Sequence, residues 1–160
     1  MNQQNSESQQ EINERVSKDL KQLLDGKLPT EKMNNIIKAS IIDRTYYAEL
    51  FEIGALFYLH YEIWTPHEDA PYAKFEGNAG GLGILTSQRA VGNIYTKDIE
   101  ALINNTTSFA FISAVVYFSV YFFDTDHNLL GHFQAGGIGI GGPGGGTGKW
   151  TRLNHPLENN

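Results

Sequence analysis

The chain has 160 residues, 41% of them hydrophobic, and a formal charge of -6 at pH 7, which suits one domain with its own buried core. Its 12 basic residues are scattered, which disfavours a nucleic-acid partner, because a phosphate backbone is bound by clustered Lys and Arg. With no cysteine, disulfides, thiolate metal sites and cysteine nucleophiles are excluded.

Residues 1–10 are mostly Gln, Asn, Ser and Glu and are expected to form a disordered tail. The start lacks an apolar run behind a basic end, so it does not read as a secretory signal peptide. The expectation is residence in the cytoplasm, export by a non-classical route, or a leader that the given sequence does not include. Ile12, Val16, Leu20, Leu23 and Leu24 share one helical stripe ended by Gly26, and Pro29 and Thr30 open a second helix with Met33, Ile36, Ile37 and Ile41 on one face. Residues 11–42 are therefore expected to be a helical segment of two short amphipathic helices. Such helices do not stand alone in water; they dock on the rest of the chain or form a partner-binding or membrane-surface arm. Their polar face mixes Glu14, Arg15, Lys18, Asp19 and Lys21, without the basic excess that membrane-surface helices favour.

Near Asp43 the apolar period changes from helical to alternating. Thr45 to Trp64 is too long for one strand and predicts two, with a bend near Gly54. A loop between Pro66 and Pro71 precedes a glycine-interrupted strand from Tyr72 to Thr86, a turn at Ser87 to Arg89, and a strand from Ala90 to Tyr95. Thr96 is placed as the N-cap of a short helix carrying Ile99, Leu102 and Ile103. The most apolar stretch, Thr106 to Gln134, predicts a long strand with Val116, Phe118, Val120 and Phe122 on one face and Tyr117, Ser119 and Tyr121 on the other, both faces covered. Asp124 to Asn128 supplies turn formers, Leu129 to Gln134 returns, and a last strand lies near Gly146 to Leu153. The fold class is all-β: a closed antiparallel barrel of about eight strands over residues 43–153, with a C-terminal tail at 154–160. Phe109, Phe111, Val116, Phe118, Val120 and Phe122 favour a filled interior over a ligand cavity.

The glycine tract from Gly136 to Trp150 matches G-x-G-x-x-G at Gly137, Gly139, Gly142 and again at Gly139, Gly141, Gly144. No helix-forming stretch or acidic ribose partner follows, and Trp150 stands where a P-loop needs Ser or Thr, so no nucleotide is expected. The glycines instead read as allowing sharp bending and close backbone approach. His60 with Glu62, and His67 with Glu68 and Asp69, are partial ligand sets without a third donor at fixed spacing. His132 reads as a hydrogen-bonded wall residue. No catalytic, cofactor or metal site is assigned.

FFDTDHNLLGHFQ at Phe122 to Gln134, followed by GGGTGKW, resembles the Vap family of virulence-associated proteins, which an intracellular actinobacterial pathogen of macrophages secretes. The likeness extends through KFEGNAGGLGILTS, GNIYTKDIEAL and SFAFISAVVYFSVYFFD, covering roughly residues 45 to 153. This resemblance implies an eight-stranded barrel with one short helix, no catalytic site, and a role in disturbing host endolysosomal membranes through acidic phospholipids. The chain departs from that pattern in its two leading helices and missing signal peptide. The expected function is a non-enzymatic effector acting through surface contacts with host membrane lipids or a host protein, with Trp64 and Trp150 as membrane-contact aromatics. The alternatives are a cytosolic interaction module docked through the N-terminal helices and a small-ligand carrier. Protonating all five His would raise the charge from -6 to about -1, so contact with anionic lipid is expected to strengthen on acidification.

Overall fold

The computed structural model describes residues 8–55, 57–80, 86–137 and 141–154. Helix α1 spans Gln9–Leu24 and α2 spans Thr30–Ala39; α1 starts where the Ser8 hydroxyl accepts the Glu11 amide, 3.2 Å away. Gln9 and Gln10, expected in a disordered tail, thus belong to the first helix and Ser8 caps it, and the rest of that tail lies outside the described residues. Past α1 the chain turns at Gly26, whose φ of 71° suits glycine.

Eight strands follow: β1 Thr45–Ala55, β2 Tyr58–Trp64, β3 Ala73–Gly80, β4 Thr86–Tyr95, β5 Ser108–Ser113, β6 Tyr117–Phe123, β7 Leu129–Gly136 and β8 Gly141–Arg152, with α3 at Ile99–Asn105 between β4 and β5. They close in the order β1-β2-β3-β8-β5-β6-β7-β4, every neighbour antiparallel. Closure removes sheet edges, as an all-β chain of this size requires.

Four local expectations change. The long apolar run is two strands, β5 and β6, folded back at residues 114–116. Val116, expected inside, is 78% exposed in that turn. Ser87 to Arg89 continue β4 rather than turning, and the last strand begins at Gly141. The cap of α3 is Asp98, whose carboxylate accepts the Ala101 amide at 3.0 Å; Thr96 instead donates to the Leu130 carbonyl at 2.8 Å.

The interior is packed with rings. Tyr61 lies 5.0 Å from Phe111 and 5.7 Å from Phe118, and Phe75 lies 5.4 Å from Phe109 and 5.1 Å from Phe122, centroid to centroid, at separations where aromatic pairs attract. Gly144 and Gly148 make room for them: a Cβ at Gly144 would lie 2.5 Å from the Phe111 ring, and one at Gly148 would overlap the Phe75 ring and lie 2.7 Å from the Glu76 carbonyl. The described glycines of β8 thus serve close packing, and the tract runs on as strand to Arg152; its residues 138–140 lie outside the described set. Trp150, expected at the surface, is only 7% exposed, packed 5.6 Å from both Phe75 and Phe122. It alternates inward along β8, and its ring area belongs to the core.

The outer face of β6 is covered as well. Ile12, Val16, Leu20 and Leu23 of α1 and Ile36 of α2 form a second core with Tyr95, Ile112, Tyr121 and Phe123. Each such side chain contributes about 1.5–3 kcal/mol on full burial. Ile41, expected on this stripe, lies beyond the end of α2 and is exposed. Buried polar groups pin the helices. The Asp19 carboxylate accepts from the hydroxyls of Tyr117 at 2.9 Å and Tyr121 at 3.2 Å. Gln134 Oε1 accepts from Arg15 at 2.7 Å and Ser119 at 2.6 Å, while its amide donates to His132 Nδ1 at 3.0 Å, leaving His132 Nε2 to donate to the Ser40 carbonyl at 3.1 Å. His132 is therefore a wall residue with both nitrogens engaged. Burial, with Arg15 nearby, holds its pKa down to about 4 despite the Ser40 bond.

Candidate functional site

Strict alternation around the barrel sends every odd-numbered strand one way and every even-numbered strand the other. The connections β1–β2, β3–β4, β5–β6 and β7–β8 therefore all join strand ends at one end of the barrel. In sequence they are Leu-Phe at 56–57, Gly-Leu-Gly-Ile-Leu at 81–85, Ala-Val-Val at 114–116 and Gly-Ile-Gly-Ile at 137–140. Every one of these residues is Gly, Ala, Val, Leu, Ile or Phe. Leu56 and residues 81–85 and 138–140 lie outside the described set; of those described, Ala114 is half-buried and the others are open to solvent, with Phe57 71% and Val115 72% exposed, like Val116. Ile53 and Tyr58 beside them are also exposed.

The apolar character reaches down the wall. No Asp, Glu, Lys or Arg occurs from Ala101 to Phe123 or from Phe133 to Gly148, which spans the whole β5–β6 hairpin and the upper part of β7–β8. The turn at the top of β5–β6 closes with the Ala114 amide donating to the Tyr117 carbonyl at 2.8 Å, leaving Val115 and Val116 as a two-residue loop. Two-residue hairpins favour Asn-Gly or Gly-containing pairs with positive φ. Neither valine has positive φ, so this loop forgoes the residues that would form it most easily.

The opposite end has ordinary loop chemistry. Its connections carry His67, Glu68 and Asp69, then Lys97, Asp98 and Glu100, then Asp124, Asp126 and His127, and α3 closes it with Leu102 and Ile103 buried. Arg152 pairs there with Glu100. Trp64 sits at this end of β2, its indole N–H donating to Glu62 at 3.3 Å and Lys74 lying 5.1 Å from its ring. Neither tryptophan singled out in the sequence is thus at the apolar end: Trp64 is half-buried in a polar network and Trp150 is in the core. Phe57, Val115 and Val116 were missed because the turns that hold them lack turn formers and read as strand interior. The signal that was available is the placement of charge, absent from alternate loops and present in the others.

His60 and Glu62 gain a neighbour that the linear spacing hides. Glu76 of β3 stands directly opposite Glu62, and the ligand atoms of the three lie within 4.8 Å of one another. His67 instead stacks on Tyr47 at 4.2 Å. None of the described helices is long and apolar enough to cross a membrane.

The family model described as Rhodococcus equi virulence-associated protein matches residues 3–151. Among solved structures, the chain is similar to the virulence-associated protein VapB from the intracellular pathogen Rhodococcus equi, at 32% identity and a TM-score of 0.63, covering 69% of this chain and 98% of that one. It is likewise similar to VapD from the same organism, at 32% identity and a TM-score of 0.62, covering 69% and 99%. No curated protein is matched.

Proposed function

The chain belongs to the Rhodococcus equi virulence-associated protein family, and from that premise we propose that it is a non-enzymatic effector that touches host membranes, inserting the apolar end of the barrel among acidic phospholipids. One observation carries this reading: all four connections at that end consist of apolar residues and glycine, and Phe57, Val115 and Val116 stand in solvent. Exposed apolar tips favour an interface over water by about 1.5–3 kcal/mol per fully buried side chain.

Acid tunes the contact. The formal charge of -6 opposes approach to anionic lipid at pH 7. Burial holds His132 down to about 4, so the rise to about -1 that protonating all five histidines would give is not reached at pH 5. The ring-filled interior weighs against a small-ligand carrier. The apolar faces of α1 and α2, already spent on the barrel, weigh against a module that docks partners through them.

Sedimentation with phosphatidylserine liposomes tests the proposal. Binding is expected to be weak at pH 7.4, clearly stronger near pH 5, and reduced by salt. Equal recovery with and without liposomes at both pH values, from folded protein, would remove it.

A further inference from the structure

We propose that the outer face of β2 and β3 carries a site for a divalent transition-metal ion, with His60 Nε2 and one oxygen each from Glu62 and Glu76 as ligands and Zn²⁺ as the fitting ion. The geometry starts from the sheet. Residues 60, 62 and 64 share one face of β2, and the antiparallel register sets Asn78, Glu76 and Lys74 opposite them. Glu62 thus faces Glu76 directly, and like charges in that relation repel. A cation between them turns the cost into binding.

The second observation is the orientation of His60. Asn78 Oδ1 accepts the Tyr58 hydroxyl and lies 2.8 Å from His60 Nδ1, so Nδ1 carries the proton and donates it. In the neutral ring that leaves the Nε2 lone pair pointing at carboxylate oxygen, an arrangement that a metal satisfies. An outer hydrogen-bond acceptor holding the far imidazole nitrogen is the usual support of a metal-bound histidine. Nε2 lies 3.4 Å from Glu62 Oε1. That is long for a charge-assisted hydrogen bond, and it equals the edge of about 3.4 Å expected between tetrahedral ligands on zinc bonds of about 2.1 Å. The other Glu62 oxygen is held by the Trp64 indole at 3.3 Å, so Oε1 is the free one.

Lys74 is the competing charge, with its ammonium 3.1 Å from Glu76 Oε1. It lies over the Trp64 ring at 5.1 Å and must move aside or share the carboxylate, which makes the site moderate rather than tight. One imidazole with two carboxylates selects zinc-like ions over calcium and magnesium, which take oxygen alone. The fourth tetrahedral position is left to solvent. This site lies on the barrel wall and does not depend on the membrane proposal.

Isothermal titration of the full chain with zinc chloride at pH 7 decides it. One saturable site is expected, with affinity at least about tenfold lower in His60→Gln and in Glu76→Gln and unchanged in His67→Gln. Calcium chloride is expected to give no saturable heat. Cu²⁺ is expected to quench tryptophan fluorescence in wild type and much less in His60→Gln, because Trp64 touches the site. Melting curves without metal, matching wild type, establish that the variants are folded. No saturation at millimolar zinc, or zinc affinity unaltered in both His60→Gln and Glu76→Gln, would overturn the assignment.

Discussion

Strand β6 begins at one turn and ends at another, and the two obey different rules. At its far end Asp124 builds the turn: its Oδ1 accepts the amides of Asp126 and Asn128, each at 2.9 Å, its Oδ2 accepts the Asn128 side chain at 3.1 Å, and His127 takes a φ of 62°. Those hydrogen bonds from Asn128 and Asp126, with Lys32 nearby, outweigh the effect of burial and hold the Asp124 carboxyl below its ordinary pKa. At its near end Val115 and Val116 sit in solvent with one backbone bond closing the loop. In residue type, the same difference separates the other loops of the two barrel ends. Closing a barrel explains the first kind of turn; it does not explain apolar residues where polar ones fold as well or better. On the proposed reading, the contrast gives membrane contact to one end and stability to the other.

The largest effect should come from charging the apolar turn. Val115→Asp with Val116→Asp removes two side chains from the interface and adds two charges there, costing about 3 kcal/mol or more. Liposome affinity near pH 5 is expected to fall by more than about a hundredfold, with the melting temperature little changed. If both fall together, the turn is structural and the distinction between ends collapses.

A second effect lies between the two turns, where α1 covers β6 and β7. His132 is held down to about 4 in the folded chain, so the unfolded chain takes the proton first as pH drops from about 6.5. Stability at this joint is therefore full above that pH and is lost down to about pH 4, by about 2 to 3 kcal/mol. Asp19, its pKa raised by burial against the bonds from Tyr117 and Tyr121, works in the opposite sense and returns part of that loss as it protonates. Denaturant titrations from pH 7 to pH 4 should show the fall, and His132→Asn should flatten it. An unchanged slope in that variant would place the acid response elsewhere.

The smallest effects exchange the two turn chemistries. Asp124→Ala should lower stability by about 1 to 2 kcal/mol without altering lipid binding, because it strips the turn of its acceptors. Val115→Asn with Val116→Gly should weaken lipid binding and, with the loop re-formed at the positive φ that Asn-Gly favours, raise stability by about 0.5 to 1 kcal/mol. Thermal melts paired with sedimentation read both. A destabilised Asn-Gly loop would mean that the valines are needed by the fold.

Much of this architecture was legible in the sequence, for reasons that also mark its limits. The stripe from Ile12 to Leu24 and the alternation through Phe118, Val120 and Phe122 are set by burial, and burial repeats with the period of the element. The doubly covered β6 was visible because Tyr117 and Tyr121 are as large as the residues that alternate with them. Turns are legible only when they use turn formers, so Asp124 to Asn128 was found and Ala114 to Val116 was absorbed into a strand. That error moved Val116 inside and hid the apolar end. Trp150 was misplaced because a tryptophan beside glycine and lysine looks exposed until β8 sets its parity. Glu76 could not be joined to His60 and Glu62, since only the register of β2 with β3 brings them together.

Amide hydrogen exchange with and without phosphatidylserine liposomes at pH 5 separates the two barrel ends within one experiment. Protection is expected to rise at Phe57 and across 114–117 and to stay unchanged at 65–72 and 124–128. Protection confined to the charged end, or to α1, would contradict the assignment of membrane contact to the apolar end.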